Sequence, residues 1–394
     1  MTEKDVERNI KLYYWYELLI EPLFWGPVLI SSLIHLGQMT LYEIYIMEAV
    51  VMLGFIVLEI PSGAAADVIG RKKTVILGSF ILMLSKVWFS LAGSPLDVWG
   101  ANITWMIGAS LCSGADTALL YDSMKAGKQE HLFNQVFGKA MSNRLLLTAF
   151  TALVTGFLAS INLRLPLLLS IPGMFIAFTI TLFFKEPQRT ENYTAKKQLE
   201  MVRMSVLFVA NHHKVKWVIG YTTILMVASK IWFFSYNPYF ELVNLDLRYY
   251  GLMFFLLNIV AWFFSRYAYA IVKIASEKII LWSMPLLLGV PILIMGSWVA
   301  LPTISMILLQ NVVRGFGGPF LSNFTNQHLS SENRATVLSI QSAVNGLAQC
   351  LGLGIFGLLL HFSNLPFSLQ ILGFTVLFAS IFSIRYYPRI FDRG

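Results

Sequence analysis

Long apolar runs separated by short polar links recur down the whole chain, and this rhythm constrains the fold more than any single motif. At about 20 residues per membrane crossing, the runs divide into twelve spans, roughly 12–36, 41–62, 74–94, 99–120, 138–161, 165–185, 216–240, 249–272, 279–300, 302–325, 336–361 and 367–387. Lipid offers no partner for backbone polar groups, so runs of this length read as helices that satisfy their own. Charged residues make up 13% of the chain and hydrophobic ones 57%, whereas a soluble domain carries about a quarter charged residues. The predicted class is an all-α membrane protein with twelve transmembrane helices.

The formal net charge of +8 does not point to nucleic acid, because the bases recur in short loops and form no amphipathic patch. Membrane topology accounts for them. With both termini cytoplasmic, Arg71, Lys72, Lys73, Lys125, Lys128, Lys196, Lys197, Lys273, Lys278 and Arg385 all fall on that side, and only Arg164 and Arg248 fall opposite. That asymmetry obeys the positive-inside rule and predicts a multi-pass protein of an inner or plasma membrane. Residues 1–11 are short and charged, and the run after them is long enough to span, so no cleavable signal is expected. Cys112 and Cys350 lie inside apolar runs and read as packing residues. The chain shows no phosphate-binding loop, zinc-helix motif or nucleophile–base set. Neither an enzyme, a metal nor a cofactor is expected.

The longest polar segment, around 185–214, divides the chain into an N-terminal six-helix bundle (1–185), a central cytoplasmic loop (186–215) and a C-terminal six-helix bundle (216–394). Within the loop Leu199, Val202, Val206 and Val209 recur at helical spacing beside Lys196, Lys197 and Arg203, which predicts an interfacial helix. A faint repeat makes the halves pseudo-symmetric: span 4 ends Tyr121-Asp122-Ser123 and span 10 ends Ser322-Asn323-Phe324, each followed by a polar loop.

Between spans 2 and 3 stands Gly63-Ala64-Ala65-Ala66-Asp67-Val68-Ile69-Gly70-Arg71-Lys72-Lys73, read as a short charged turn. It resembles the loop between helices 2 and 3 of the major facilitator superfamily, G-x-x-x-D-x-x-G-R-K. The resemblance extends along the chain through the twelve spans, the central loop and the inward termini. It implies a cytoplasmic gate built from Gly63, Asp67, Gly70, Arg71 and Lys72, with Asp122 as the partner of Arg71. It also implies that spans 1, 4, 7 and 10 line a central cavity. Span 4 carries Gly114-Ala115-Asp116 where drug-efflux branches place an arginine, and span 5 has Gly156 but no proline; the sequence departs there from well-known antiporters.

A charge at bilayer depth costs about 3 kcal/mol on insertion scales, so each one needs a partner or water. Glu17 and Glu21 lie four residues apart on one face of span 1; Glu48, Lys86, Asp116, Lys230, Arg266 and Arg314 lie in spans 2, 3, 4, 7, 8 and 10. Glu48 and Lys86 differ by roughly 3 Å in depth and are predicted to form a structural ion pair. Buried carboxyls suit reversible protonation. Glu21 is the first choice for proton coupling, followed by Asp116 and Glu17; alternatively Glu21 simply neutralises Lys230 or Arg314. Lys230 and Arg314, with Tyr16, Trp25, Trp232 and Tyr236, are the substrate-binding candidates. Glu21-Pro22 and Gly26-Pro27 predict kinks in span 1, and Gly315, Gly317, Gly318 and Pro319 predict an interruption of span 10. Gly346, Gly352, Gly354 and Gly357 in span 11 predict close helix packing.

The expected function is proton-coupled export of a small amphipathic organic compound by alternating access, in a monomer whose partners are substrate, protons and lipid. Alternatives are an organic-anion transporter using Lys230 and Arg314, and a lipid flippase or scramblase.

Overall fold

The structure is a computed structural model that describes residues 1–21, 23–186, 212–328 and 334–386. Its helices, in chain order, are α1 (Glu3–Leu19), a 3₁₀ turn (Gly26–Val28), α2 (Leu29–His35), α3 (Leu41–Ile69), α4 (Arg71–Leu91), α5 (Pro95–Cys112), α6 (Ala115–Ala126), α7 (Phe133–Ile161) and α8 (Leu165–Leu182). After the central loop come α9 (His213–Leu242), α10 (Tyr250–Arg266), α11 (Ala268–Ile274), α12 (Glu277–Ser297), α13 (Met306–His328), α14 (Arg334–Phe362) and α15 (Leu365–Arg385). Among the described residues, 10 helices are long and apolar enough to cross a membrane. The predicted spans outside that set are the first, split between α1 and α2, and the tenth, the polar α13. The twelve-helix reading therefore fits. The interfacial helix predicted in the central loop, and Pro22, lie outside the described residues.

Two compact units account for the chain. The first comprises residues 1–39, 53–197 and 247–254; the second comprises 40–52, 198–246 and 255–394. Two of the boundaries fall inside helices, so α3 and α10 each contribute to both units.

In the first unit α1 begins with a capping box. Thr2 Oγ1 accepts from the Asp5 amide, and the Asp5 carboxylate accepts from the Thr2 amide. The Thr2 bonds hold the Asp5 carboxyl below the ordinary carboxylate range. α4 and α5 approach so closely that a Cβ on Gly78 would stand 2.9 Å from the Gly108 carbonyl oxygen. Small residues allow such backbone contact between membrane helices.

Span 4 is not one helix. α5 ends at Cys112, Gly114 takes φ +78°, and α6 begins at Ala115. Left-handed backbone costs an L side chain about 1–2 kcal/mol, which glycine avoids. Span 1 is interrupted as predicted: α1 stops at Leu19 and helix resumes at Gly26.

Two expectations are corrected. Residues 63–73 are not an open turn: α3 runs on through Ile69, Gly70 alone forms the corner at φ +108°, and Arg71 starts α4. Ala64, Ala65 and Ala66 are strong helix formers, so the helix persists up to the glycine. Span 10 is not broken either, since α13 continues from Met306 to His328 across Gly315, Gly317 and Gly318. Gly315 serves contact instead: a Cβ there would stand 2.1 Å from the Ala261 carbonyl oxygen.

The second unit packs α12 on α15 through Gly289 and Gly373, where a Cβ on Gly373 would lie 3.0 Å from the Gly289 carbonyl oxygen. The N-terminal part of α3 belongs here. Tyr45 is buried, its hydroxyl donates to the Ile231 carbonyl at 2.6 Å, and Gly357 of α14 lets it approach. Gly352 of α14 meets Val227 in the same way, in line with the packing role predicted for the span 11 glycines. Rows of exposed Phe and Leu, such as Phe374, Phe378 and Phe382 on α15, have the character of lipid-facing surface.

Candidate functional site

Both helix breaks of the first unit deliver acidic side chains. Glu17, one turn before α1 ends, is only 3% exposed, and its carboxylate receives Arg144 Nη1 at 2.8 Å. The same nitrogen lies 3.6 Å from Glu21, whose side chain is largely exposed just beyond the helix end. Asp116 stands in the first turn of α6, accepts the Thr117 amide and hydroxyl, and is within electrostatic reach of both Glu17 and Arg144. Nearby on α1, Tyr13 and Tyr16 are buried. Arg144 is thus shared between Glu17, almost dry, and Glu21, at the solvated edge, with Asp116 in the same electrostatic field.

A buried Arg–carboxylate pair is costly to break on one side, about 3–5 kcal/mol, because it strands the other charge. Proton binding to Glu17 removes its charge without stranding anything, provided Arg144 can turn to another acceptor. Arg144 is absent from the sequence inventory of in-span charges, although it lies inside span 138–161 and that position was the available signal.

The residues that the resemblance assigns to a cytoplasmic gate lie within the first unit. Arg71 forms an ion pair with Asp122 and donates to the Ala118 carbonyl at 2.8 Å. Glu186, which the sequence reading passes over, accepts the backbone amides of Arg71 and Lys72 at 2.9 and 2.8 Å. A carboxylate on the first amides of α4 satisfies donors that the helix cannot satisfy itself. Gly70 is the corner, Asp67 lies in the last turn of α3, and a Cβ on Gly63 would meet nothing within 4 Å.

Lys86 also lies in the first unit, buried, with its ammonium 4.2 Å from the centre of the Trp25 ring and 5.3 Å from that of Trp105. Trp25 thus holds a cation of the protein itself. Glu48 is buried in the second unit.

In the second unit Arg314 of α13 is exposed and donates to the Asn258 side-chain oxygen of α10. Among the described residues it makes no ion pair, and the same is true of Lys230, whose ammonium sits 5.0 Å from the Phe234 ring centre. Trp232 and Tyr236 are buried edge to face at 5.5 Å. Asn311 donates to the Tyr236 hydroxyl at 3.2 Å. Among the described residues, Gln310 and Asn311 carry buried amide atoms without partners, each costing about 1–3 kcal/mol if left unmade. A scan for charges misses these neutral amides.

The family model of the Major Facilitator Superfamily matches residues 23–353. The sequence is similar to an uncharacterized MFS-type transporter, YxaM, of Bacillus subtilis (strain 168), at 24% identity over 344 residues, covering 80% of each chain. The fold is similar to that of the nucleoside transporter NupG, with a TM-score of 0.78 at 12% identity over 98% of this chain and 99% of that one. It is also similar to that of a D-xylose-proton symporter, with a TM-score of 0.70 at 14% identity over 96% and 95% of the two chains. A bacterial homolog of the human lysosomal transporter Spinster aligns with a TM-score of 0.73 at 14% identity over 100% and 99%. Matched along most of its length and sharing the helical architecture just described, the chain belongs to the major facilitator superfamily of secondary transporters.

Proposed function

We propose that the protein couples proton movement to transport of a small amphipathic organic compound by alternating access, with Glu17 as the proton-carrying carboxyl. The observation that carries this reading is the buried Glu17 carboxylate, 2.8 Å from Arg144 Nη1, with Glu21 at 3.6 Å from the same nitrogen. When Glu17 takes a proton its attraction for Arg144 falls, and Glu21 is the acceptor already in reach. Asp116 supplies a third carboxyl in the same field. Exchange of Arg144 between carboxyls gives the two discrete arrangements that a coupled transporter needs. Export is the direction adopted, on the family resemblance.

The test is uptake into vesicles driven by an imposed pH gradient. Glu17→Gln is expected to abolish the dependence on the gradient while counterflow of solute persists; full pH-driven accumulation by that variant would refute the assignment.

A second reading, transport of an organic anion, is favoured by Arg314 and Lys230, two cations that have no carboxylate partner among the described residues. A guanidinium pre-set by Asn258 presents a fork suited to carboxylate or phosphate. Arg314→Gln is expected to weaken binding of anionic solutes at least tenfold, read by isothermal calorimetry in detergent.

A further inference from the structure

Gln310 is 3% exposed, and among the described residues neither Oε1 nor Nε2 of its amide has a hydrogen-bond partner. Beside it, Asn311 is fully buried and spends its amide nitrogen on the Tyr236 hydroxyl and the Ile307 carbonyl, which leaves Oδ1 without a donor. On α9 the Trp232 indole N–H is likewise buried and unpartnered. These orphans belong to one neighbourhood. Asn311 touches Tyr236, Tyr236 packs on Trp232, and Arg314 acts electrostatically on Tyr236. Gln310 and Asn311 precede Arg314 by four and three residues, so both border its face of α13.

Buried polar atoms left unmade are expensive and rare, and a cluster of them beside an accessible arginine marks where a ligand makes the missing bonds. The donor and acceptor of one side-chain amide are met reciprocally, in one plane, by a second amide. The indole N–H asks for an acceptor, the Asn311 oxygen for a donor, and the guanidinium for an oxyanion. Four residues along a helix span about 6 Å, so the amide and acid groups of the ligand must be close together.

We infer that this part of α9 and α13 binds a small organic acid carrying a carboxamide or lactam, its amide paired with Gln310, its oxyanion on Arg314 and its apolar body against Trp232. The inference rests on the organic-anion reading of the same site and narrows its cargo. A sugar would also offer donors and acceptors, but it gives the unpaired guanidinium no charge.

Equilibrium binding to the full chain in detergent tests it. The probes are the lactam acid 2-oxo-1,2-dihydroquinoline-4-carboxylate, its lactone isostere coumarin-4-carboxylate, the neutral methyl ester of the lactam acid, and glucose. The lactam acid is expected to raise the melting temperature and to bind roughly tenfold tighter than the lactone acid, which lacks the amide N–H. Gln310→Met is expected to melt at or above the parent protein, since it removes orphaned atoms, and to erase that tenfold difference. Arg314→Met is expected to erase the preference for the acid over its methyl ester. Equal binding of the lactam acid and the lactone acid, binding of glucose alone, or of no probe, would overturn the inference. So would a Gln310→Met variant that melts well below the parent, because the amide would then be structural. Binding is read without a gradient: the expected pattern with no pH-driven flux would remove the coupling reading and leave this one standing, and flux without amide discrimination would do the reverse.

Discussion

Arg144 has two carboxylates within reach and one of them, Glu17, is almost dry. A guanidinium so placed is held in position by what it neutralises. Arg144→Met would leave Glu17 buried without its counter-charge and is expected to destabilise the fold by about 3–5 kcal/mol. Adding Glu17→Gln to that background is expected to recover much of the loss, because an amide needs no counter-ion. Thermal unfolding in detergent of the two single variants and the double reads this coupling directly. No gain in the double variant would mean that Arg144 acts through other contacts. At this scale the sequence was legible for the acids and silent on their partners. Glu17, Glu21 and Asp116 announce themselves as charges in apolar runs. Their ranking depends on burial, and the α1 end leaves Glu21 in contact with solvent while Glu17 stays inside.

Among the elements, the break between α5 and α6 is the most informative. A discontinuous membrane helix exposes unpaired backbone groups at depth, and such breaks commonly flank binding sites. Here the break turns on Gly114 at φ +78° and places Asp116 in the first turn of α6, where a carboxylate complements the helix dipole. Gly114→Ala forces an L side chain into left-handed backbone and is expected to cost about 1–2 kcal/mol; an unchanged melting temperature would show that the break does not depend on the glycine. Apolar periodicity did not reveal this interruption, since Gly114 sits inside a stretch whose length and mean apolarity read as one span. The same blindness worked in reverse for α13, where Gly315, Gly317 and Gly318 read as a break. Gly315 lets the helix backbone lie against Ala261, and the ladder of helical bonds simply continues. A glycine in a membrane span serves either bending or close contact, and only its neighbours tell which.

Over the whole molecule, the family resemblance assigns Asp67, Arg71 and Asp122 to a cytoplasmic gate, and within the first unit Arg71 and Asp122 do form an ion pair. Asp67→Asn is expected to raise the inward accessibility of cavity positions, measured by the rate of thiol labelling at introduced cysteines; rates equal to those of the parent protein would remove Asp67 from the gate. The number of crossings and the family were legible in the sequence alone. Lipid tolerates only long apolar helices, and basic residues are retained on one side. What only the tertiary structure decided is which charges share a pocket, where a span breaks rather than packs, and which neutral amides are left wanting a partner. Those outcomes depend on neighbours tens or hundreds of residues away in the chain, brought within a few ångströms by helix packing that no local pattern encodes.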